Sequence, residues 1–199
     1  MRYSKEHMQE TRNKIYQAAL SKFRSEGFHG IGVDGISKAA GVTSGAFYKH
    51  FGSKANAFRE VLSEGLGILR NGIERNHAEK GEKWLEPFIK WYFSRPEGPD
   101  CDGGDSLLPM QGGCALPTLS PEVARTDEET QAIYEQELLQ IVKALKAGLP
   151  KETTMKKQVS WSILATMIGG VALARAVQDE DLAEEIAKSM VWANKKLIR

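Results

Sequence analysis

The sequence has few of the features that mark secreted, membrane-spanning or fibrous proteins. Two cysteines among 199 residues cannot form the disulfide framework of a small secreted domain. The first twelve residues are strongly charged, and no apolar segment of a signal peptide follows them. The longest uncharged run, residues 158–174, includes glutamine, serine and threonine and is short for a membrane span. We therefore expect a cytoplasmic globular protein with no membrane segment.

Signatures of enzymes and metal sites are also missing. The four histidines, at positions 7, 29, 50 and 77, are not spaced as metal ligands, and no pair of cysteines has ligand spacing. The chain contains no phosphate-binding loop, dinucleotide fingerprint or nucleophile elbow. The sequence therefore favours a protein that is not an enzyme and needs no cofactor.

Charge is distributed unevenly along the chain, although the net charge is only +1. Residues 1–60 contain ten Lys/Arg and five Asp/Glu, a formal charge of +5, whereas the remaining residues contain seventeen and twenty-one, a formal charge of −4. A basic N-terminal region favours a polyanionic partner for that region alone. The alternative is an ordinary solvated surface.

Apolar residues recur at helical spacing, and no segment alternates with period two for long enough to form a strand. The pattern predicts an all-α protein. In the N-terminal part, the predicted helices are one ending at Gly27, two short ones over about 33–40 and 43–50, and a long one capped by Ser53. A helix over 84–93 follows, and then one that is opened by Thr126 with Glu129 and ends at Gly148. The last two helices are predicted over about 152–177 and 181–197, and the second of these is opened by Asp181 with Glu184. Residues 94–113, rich in proline and glycine, are predicted to form a long loop.

Residues 33–50 contain the parts of a helix-turn-helix, in which the second helix enters the major groove of DNA. Gly41 lies at the turn, and Ile36, Ala39, Ala40 and Val42 are expected to pack against Phe47 and Phe51. The other face of the second helix has hydroxyls, an aromatic residue and cations, which suit base edges and phosphates. The candidate DNA-binding residues are Thr43, Ser44, Gly45, Tyr48, Lys49 and His50, with Lys54 expected to hold a phosphate at the start of the next helix.

This segment resembles the tetracycline-repressor (TetR) family of bacterial transcriptional regulators. The matching residues are Thr11, Arg12, Ala18, Ala19, Phe23, Gly27, Phe28, Val33, Ile36, Ala39, Ala40, Gly41, Val42, Gly45, Phe47, Tyr48, His50, Phe51 and Lys54. The sequence departs from the family pattern at Gly32 and Gly35, where a Ser/Thr cap and an acidic residue are common. The residues of the family that match Thr43, Ser44, Gly45, Tyr48, His50 and Lys54 contact DNA.

The resemblance implies a homodimer of nine-helix subunits. Residues 1–52 are expected to form the three-helix DNA-binding domain. Residues 53–199 are expected to bind a small molecule and to dimerise through the last two long helices. The implied function is that of a repressor released from a palindromic operator by a small apolar or aromatic effector. A DNA-binding dimer without an effector, or a cysteine-based sensor of oxidants or electrophiles through Cys101 or Cys114, are the alternatives.

Aromatic residues in the C-terminal part suggest where an effector binds. Trp84, Phe88, Trp91 and Trp161 are the candidate ligand-binding residues, and the alternative is that they are core residues. Gly169 and Gly170, with Ala172 and Ala174, form a small-residue face that suits either close packing within the subunit or a dimer interface.

Overall fold

A computed structural model describes residues 5–94 and 113–198. Within these residues the chain forms nine α-helices, one short 3-10 helix and no strand, so the predicted all-α class is confirmed. The helices are α1 (Lys5–Gly30), α2 (Val33–Ala39), α3 (Ser44–Phe51), α4 (Lys54–Lys80), α5 (Leu85–Phe93), α6 (Leu116–Val123), α7 (Glu128–Gly148), α8 (Lys156–Ala176) and α9 (Glu180–Leu197). The predicted loop over 94–113, with Cys101, lies almost entirely outside the described residues.

The described chain divides into two compact units. The first contains the described residues up to Glu64 together with Thr118–Tyr134, and the second contains the described residues of Gly65–Pro117 and Glu135–Arg199. Helices α4, α6 and α7 therefore each contribute residues to both units. The functional boundary expected between residues 52 and 53 falls inside the first unit and stays a prediction.

The first unit is built on the apolar stripe of α1. Ile15, Ala19 and Phe23 are fully buried, and the rings of Phe23 and Phe58 meet edge to face at 5.1 Å. The helical backbone breaks at Gly27, as the sequence predicts, because φ there is 75°, a conformation that residues with a Cβ rarely adopt. One further turn carries α1 to Gly30.

Helix α4 buries an apolar stripe at helical spacing. Phe58, Val61, Leu62, Leu66, Leu69 and Ile73 are all buried. The Ser53 hydroxyl accepts a hydrogen bond from the Asn56 amide at 3.0 Å, which is the cap that the sequence predicts.

Two predicted helix caps are wrong by one or two residues. The cap of α7 is Asp127, whose carboxylate accepts from the Thr130 amide at 2.9 Å, whereas the Thr126 hydroxyl donates to the Val123 carbonyl. The cap of α9 is Asp179, which accepts from the Leu182 amide at 2.9 Å, so Asp181 lies inside the first turn. In both places an aspartate close to the predicted cap satisfies a free amide of the first turn instead.

In the second unit, α5, α8 and α9 pack against one another. A Cβ on Gly170 would lie 2.4 Å from Met190 Cγ and 2.8 Å from Phe93 Cε1, so this glycine permits close packing inside the subunit. Gly169 has no atom within 4 Å of a Cβ position. By length and composition α8 is apolar enough to cross a membrane, but its residues Ile163, Leu164, Met167 and Val171 are buried in the unit as in a core helix.

Candidate nucleic-acid interface

Helices α2 and α3 form a helix-turn-helix held by a small aromatic core. Gly41 turns the chain with φ 66°, and the Val42 amide donates to the Ser37 carbonyl at 3.0 Å. Ile36 and Phe47 are fully buried, and the rings of Phe47 and Phe51 stack at 5.6 Å.

The prediction that Ala39 packs in this core is wrong. Ala39 is exposed, while its neighbours Ala40 and Val42 are half-buried. The contact between the two helices therefore depends mainly on Ile36 and the two phenylalanines.

The structure brings six of the seven candidate DNA-binding residues together at α3 and its N-cap. Thr43, Gly45, Tyr48 and Lys49 are exposed, and Ser44 and His50 are half-buried. The Tyr48 side chain is 51% exposed, although the adjacent Phe47 is completely buried. The helix thus has a buried aromatic face and an outward face that offers hydroxyls, a phenol, an ammonium group and an imidazole.

Both hydroxyls at the start of α3 have partners within the protein. Thr43 Oγ1 accepts a hydrogen bond from the Ala46 amide at 3.2 Å and caps the helix. Ser44 Oγ donates to Asp34 Oδ1 on α2 at 2.6 Å. The sequence analysis missed Asp34, because only the folded turn brings it to Ser44.

Lys54 supports the connection between α1 and α2. Its ammonium donates to the carbonyls of Phe28 at 2.8 Å and Ile31 at 3.0 Å, and it lies 4.4 Å from the centre of the Phe28 ring. An ammonium has three N–H donors, so at most one remains for a phosphate. The predicted phosphate contact stays a prediction, and the structure adds a stabilising role that the sequence did not indicate.

Replacing Lys54 should destabilise the first unit. Lys54→Met keeps most of the aliphatic stem but leaves two carbonyls without their charged donor, and we expect the free energy of unfolding to fall by about 2 kcal/mol. Urea denaturation followed by circular dichroism measures the change. Lys49→Met is the matched control, because Lys49 is exposed on α3, and its effect should stay within about 0.5 kcal/mol. Equal stability of the two variants would contradict this role of Lys54.

Ion pairs tie the start of α7 to α4 within the first unit. The Arg59 guanidinium lies 2.9 Å from carboxylate oxygens of both Asp127 and Glu129, and its Nε donates to the Thr130 hydroxyl at 3.1 Å. The Arg59 hydrogen bond, followed by the Thr130 amide, holds the pKa of Asp127 well below its usual value. The pair therefore stays charged throughout the physiological pH range.

Two further contacts in this unit were not predicted from the sequence. The Glu122 carboxylate, on α6, accepts from the His29 amide at 3.2 Å, beside the break in α1. Arg12 pairs with Glu60, and its guanidinium lies 4.9 Å from the centre of the Phe51 ring at the end of α3. Both contacts join residues that are distant in sequence, and together they fix the ends of α1 and α3.

His50 is the titratable group on the outward face with a shifted pKa. Burial, followed by the positive charges of Lys49 and Arg12, lowers the pKa of the imidazole from its usual value. The side chain is therefore mainly neutral at pH 7 in the free protein. An anion beside it would oppose these effects and favour its protonated form.

Of the four candidate ligand-binding residues, Phe88 and Trp91 line a common cleft in the second unit. This cleft, of about 400 Å³, is also lined by Ile68, Leu69, Asn71, Gly72 and Arg75. The Phe88 ring is nearly buried and lies 5.5 Å from the exposed ring of Trp91. The surface is largely apolar and has one guanidinium among its lining groups.

The other two candidates lie elsewhere. Trp84 is fully buried, and its indole N–H donates to the Gly148 carbonyl at 2.7 Å, so it is a core residue with its polar atom satisfied. Trp161 is half-buried on α8 and lines none of the described clefts. A larger groove between α5 and α9, of about 660 Å³, has Glu180, Asp181 and Glu184 along it and is less suited to an apolar ligand.

Cys114 lies just before α6 and is buried. Its carbonyl accepts from the Arg175 guanidinium at 3.2 Å, and the Tyr92 side chain beside it is fully buried. Burial, followed by the influence of Cys114, raises the pKa of Tyr92 well above its usual value. This setting is that of a core cysteine with little access for an electrophile. Within residues 5–94 and 113–198, no three His, Cys, Asp or Glu side chains are grouped to hold a metal ion.

Comparison with known proteins gives a consistent assignment. The family model of bacterial regulatory proteins of the tetR family matches residues 15–61. The HTH-type transcriptional regulator AcrR of Shigella flexneri is 45% identical over 65 residues, which is 32% of this chain and 30% of AcrR. The transposon Tn10 TetC protein of Escherichia coli is 24% identical over 186 residues, or 91% of this chain and 88% of TetC.

Solved structures match over nearly the whole chain. The reduced form of E. coli NemR has a TM-score of 0.75 at 17% identity and covers 95% of this chain and 97% of its own. A TetR-family regulator from Agrobacterium tumefaciens has a TM-score of 0.75 at 18% identity, with 94% and 98% covered. At these identities the match shows the fold.

The strongest sequence similarity therefore coincides with the helix-turn-helix. It spans about a third of AcrR, while the likeness of fold extends over both units. Residues 15–61 include all of α2 and α3 and the buried stripe of α1 that supports them. Residues 15–61 of this chain therefore match the tetR family of bacterial regulatory proteins, and the chain shares the fold of solved TetR-family regulators.

Proposed function

We propose that this protein is a homodimeric repressor that binds a palindromic DNA operator through α3 and is released from it by a small apolar or aromatic molecule. The single observation that carries the proposal is the division of α3 into two faces. Phe47 and Phe51 fix the helix on the core, while Tyr48 and Lys49 point away from it. An exposed phenol beside an exposed ammonium group suits contact with the phosphates of a duplex.

The outward groups divide by chemistry between backbone and bases. Lys49 and the Tyr48 phenol suit phosphate oxygens, which position the protein without reading sequence. The short side chains of Thr43 and Ser44 suit base edges in the major groove. Gly45 follows Ser44, is exposed, and leaves the backbone without a Cβ where the helix approaches the duplex.

Exposed apolar side chains on α8 and α9 support the proposed homodimer. Leu173, Leu182 and Trp192 are 58%, 43% and 64% exposed, and Gly169 leaves open space beside α8. Large apolar side chains exposed on the same pair of helices favour an interaction surface there. A two-fold dimer would place two copies of α3 on half-sites one helical turn, or about 34 Å, apart, and so requires an inverted repeat.

A selection experiment tests the function. The purified protein is incubated with a random-sequence duplex library, and bound DNA is amplified and sequenced over several rounds. We expect enrichment of an inverted repeat whose half-site centres lie about 10 base pairs apart. Failure to enrich any sequence, at a salt concentration low enough for non-specific binding, would contradict a sequence-specific regulator.

The cleft beside Phe88 and Trp91 is the proposed effector site. A ligand releases the operator only if it binds the free protein more tightly than the DNA-bound form. Screening apolar and aromatic compounds by thermal shift should give a rise in melting temperature for wild type that is lost in Trp91→Ala and kept in Trp161→Ala. If no compound binds, the alternative of a dimer without an effector is favoured.

DNA affinity should rise as the pH falls. Burial and nearby cations lower the pKa of His50 in the free protein, and phosphates in the complex would raise it, so binding takes up a proton. The gain is complete below the free pKa and is lost as the pH rises through the bound pKa. Anisotropy titrations between pH 8 and 6 at constant salt should show an increase of up to about tenfold. His50→Gln should flatten this profile and His29→Gln should not; an unchanged profile in His50→Gln would contradict the assignment.

A further inference from the structure

The hydrogen bond between Ser44 and Asp34 fixes the polarity of a hydroxyl on the proposed DNA-binding face. Ser44 Oγ lies 2.6 Å from Asp34 Oδ1, within the range of strong O–H···O⁻ bonds. An ionised carboxylate has no hydrogen to give, so the serine hydroxyl must be the donor. Its oxygen then has only lone pairs to offer to anything outside the protein.

We propose that Asp34 is a specificity-determining positioning residue, which makes Ser44 recognise an exocyclic amino group, adenine N6 or cytosine N4, in the major groove. The inference rests on the proposed DNA-binding function and adds the chemistry of one contact. A keto oxygen, thymine O4 or guanine O6, would face the Ser44 oxygen with no hydrogen between the two acceptors, and would therefore be disfavoured. Asp34 acts through Ser44 and need not touch the DNA itself.

The adjacent Thr43 hydroxyl, in contrast, keeps its hydrogen for donation. Thr43 Oγ1 accepts the Ala46 amide as the N-cap of α3, so its own hydrogen points elsewhere and can be donated. Two neighbouring hydroxyls at one end of the helix thus differ in what they recognise. Residue type does not distinguish them, since a serine or threonine hydroxyl can both donate and accept.

Atomic substitution in the DNA tests the proposal. In a duplex that wild type binds, the base pair read by Ser44 is first identified as the one where discrimination is lost in Ser44→Ala. At that pair the amino group is removed by replacing adenine with purine, or cytosine with pyrimidin-2-one. In a separate duplex the keto oxygen is removed by replacing thymine with 5-methylpyrimidin-2-one, or guanine with 2-aminopurine.

For wild type, we expect loss of the amino group to weaken binding about three- to tenfold, the value of one hydrogen bond, and loss of the keto oxygen to have a much smaller effect. Asp34→Ala should make the two losses equal, because the Ser44 hydroxyl is then free to donate or accept. Asp34→Glu restores an acceptor of the same charge and should restore the preference. Thermal melts of the variants check folding, and Asp34 is exposed, so all are expected to fold.

The ratio of the two losses in affinity distinguishes an effect of the Ser44 hydroxyl's polarity from an effect of the Asp34 charge. Removing the Asp34 charge strengthens binding to every duplex alike, and this uniform effect cancels from the ratio. A wild-type preference for the keto oxygen, or a preference that persists in Asp34→Ala, overturns the inference while leaving the proposed function intact. A base pair insensitive to both losses also overturns it. Absence of binding to any duplex would overturn the proposed function as well.

Discussion

Gly45→Leu is expected to weaken binding to duplex DNA at least about 100-fold while leaving the fold at least as stable as wild type. A Cβ at Gly45 would meet only Thr43 Oγ1, at 3.8 Å, so the folded protein has room for a side chain. Leucine also has a higher helix propensity than glycine, by about 0.8 kcal/mol. In the proposed complex the same side chain would stand between α3 and the bases and hold the helix away from them.

The comparison of two assays makes this result specific. Fluorescence anisotropy with a labelled duplex gives the dissociation constant, and urea denaturation gives the free energy of unfolding. Ala78→Leu adds similar bulk at an exposed position of α4 and should change neither quantity by much. A dissociation constant for Gly45→Leu within threefold of the wild-type value would show that the α3 backbone does not approach DNA.

Trp192→Glu is expected to convert the proposed dimer to monomers and to reduce DNA affinity at least about 100-fold. The indole is 64% exposed, with the Lys196 ammonium 5.8 Å from its ring centre, so its removal leaves no cavity in the monomer core. Buried tryptophans at the centre of interfaces commonly contribute at least about 2 kcal/mol. A glutamate there would also place a charge in the interface of each subunit.

Light scattering after size exclusion measures the mass of the Trp192→Glu variant. Leu139→Glu is the matched control, because it introduces the same charge at an apolar residue exposed on α7, and it should stay dimeric. Circular dichroism and melting temperature should match wild type in both variants. A Trp192→Glu protein with the mass of a dimer would show that α9 does not form the interface.

The helix-turn-helix could be predicted from sequence because its determinants are local. The turn at Gly41 and the spacing of Phe47 and Phe51 lie within about three helical turns. Because these features depend on a few neighbouring residues, they can be predicted from the sequence alone. The buried stripes of α1 and α4 can also be predicted, because apolar residues at helical spacing mark the buried side of each helix.

Contacts between distant residues could not be predicted. The hydrogen bond from Ser44 to Asp34, the ammonium of Lys54 on two carbonyls and the indole of Trp84 on Gly148 all depend on how helices pack. Residue type suggested a base contact, a phosphate contact and a ligand contact respectively. The structure shows that each group already has a partner in the protein, and for Trp84 that partner satisfies its single donor.

The cap errors have a similar origin. Thr126 with Glu129 fits the capping-box pattern, but its hydroxyl is taken by the Val123 carbonyl at the end of α6. Asp127, one residue later, is held by Arg59 of α4 and caps α7 instead. Thr126 and Asp127 are adjacent and both suit a helix cap. Contacts with the preceding helix and with a distant arginine therefore determine which of the two caps α7.

Operator binding by a dimer is tested by titrating a labelled operator duplex at several salt concentrations and measuring the mass of the complex by sedimentation. We expect two chains per duplex and an affinity that falls linearly with salt on a logarithmic plot, because cations on α3 replace counterions at phosphates. A protein that remains monomeric and binds no duplex at 50 mM salt would contradict it.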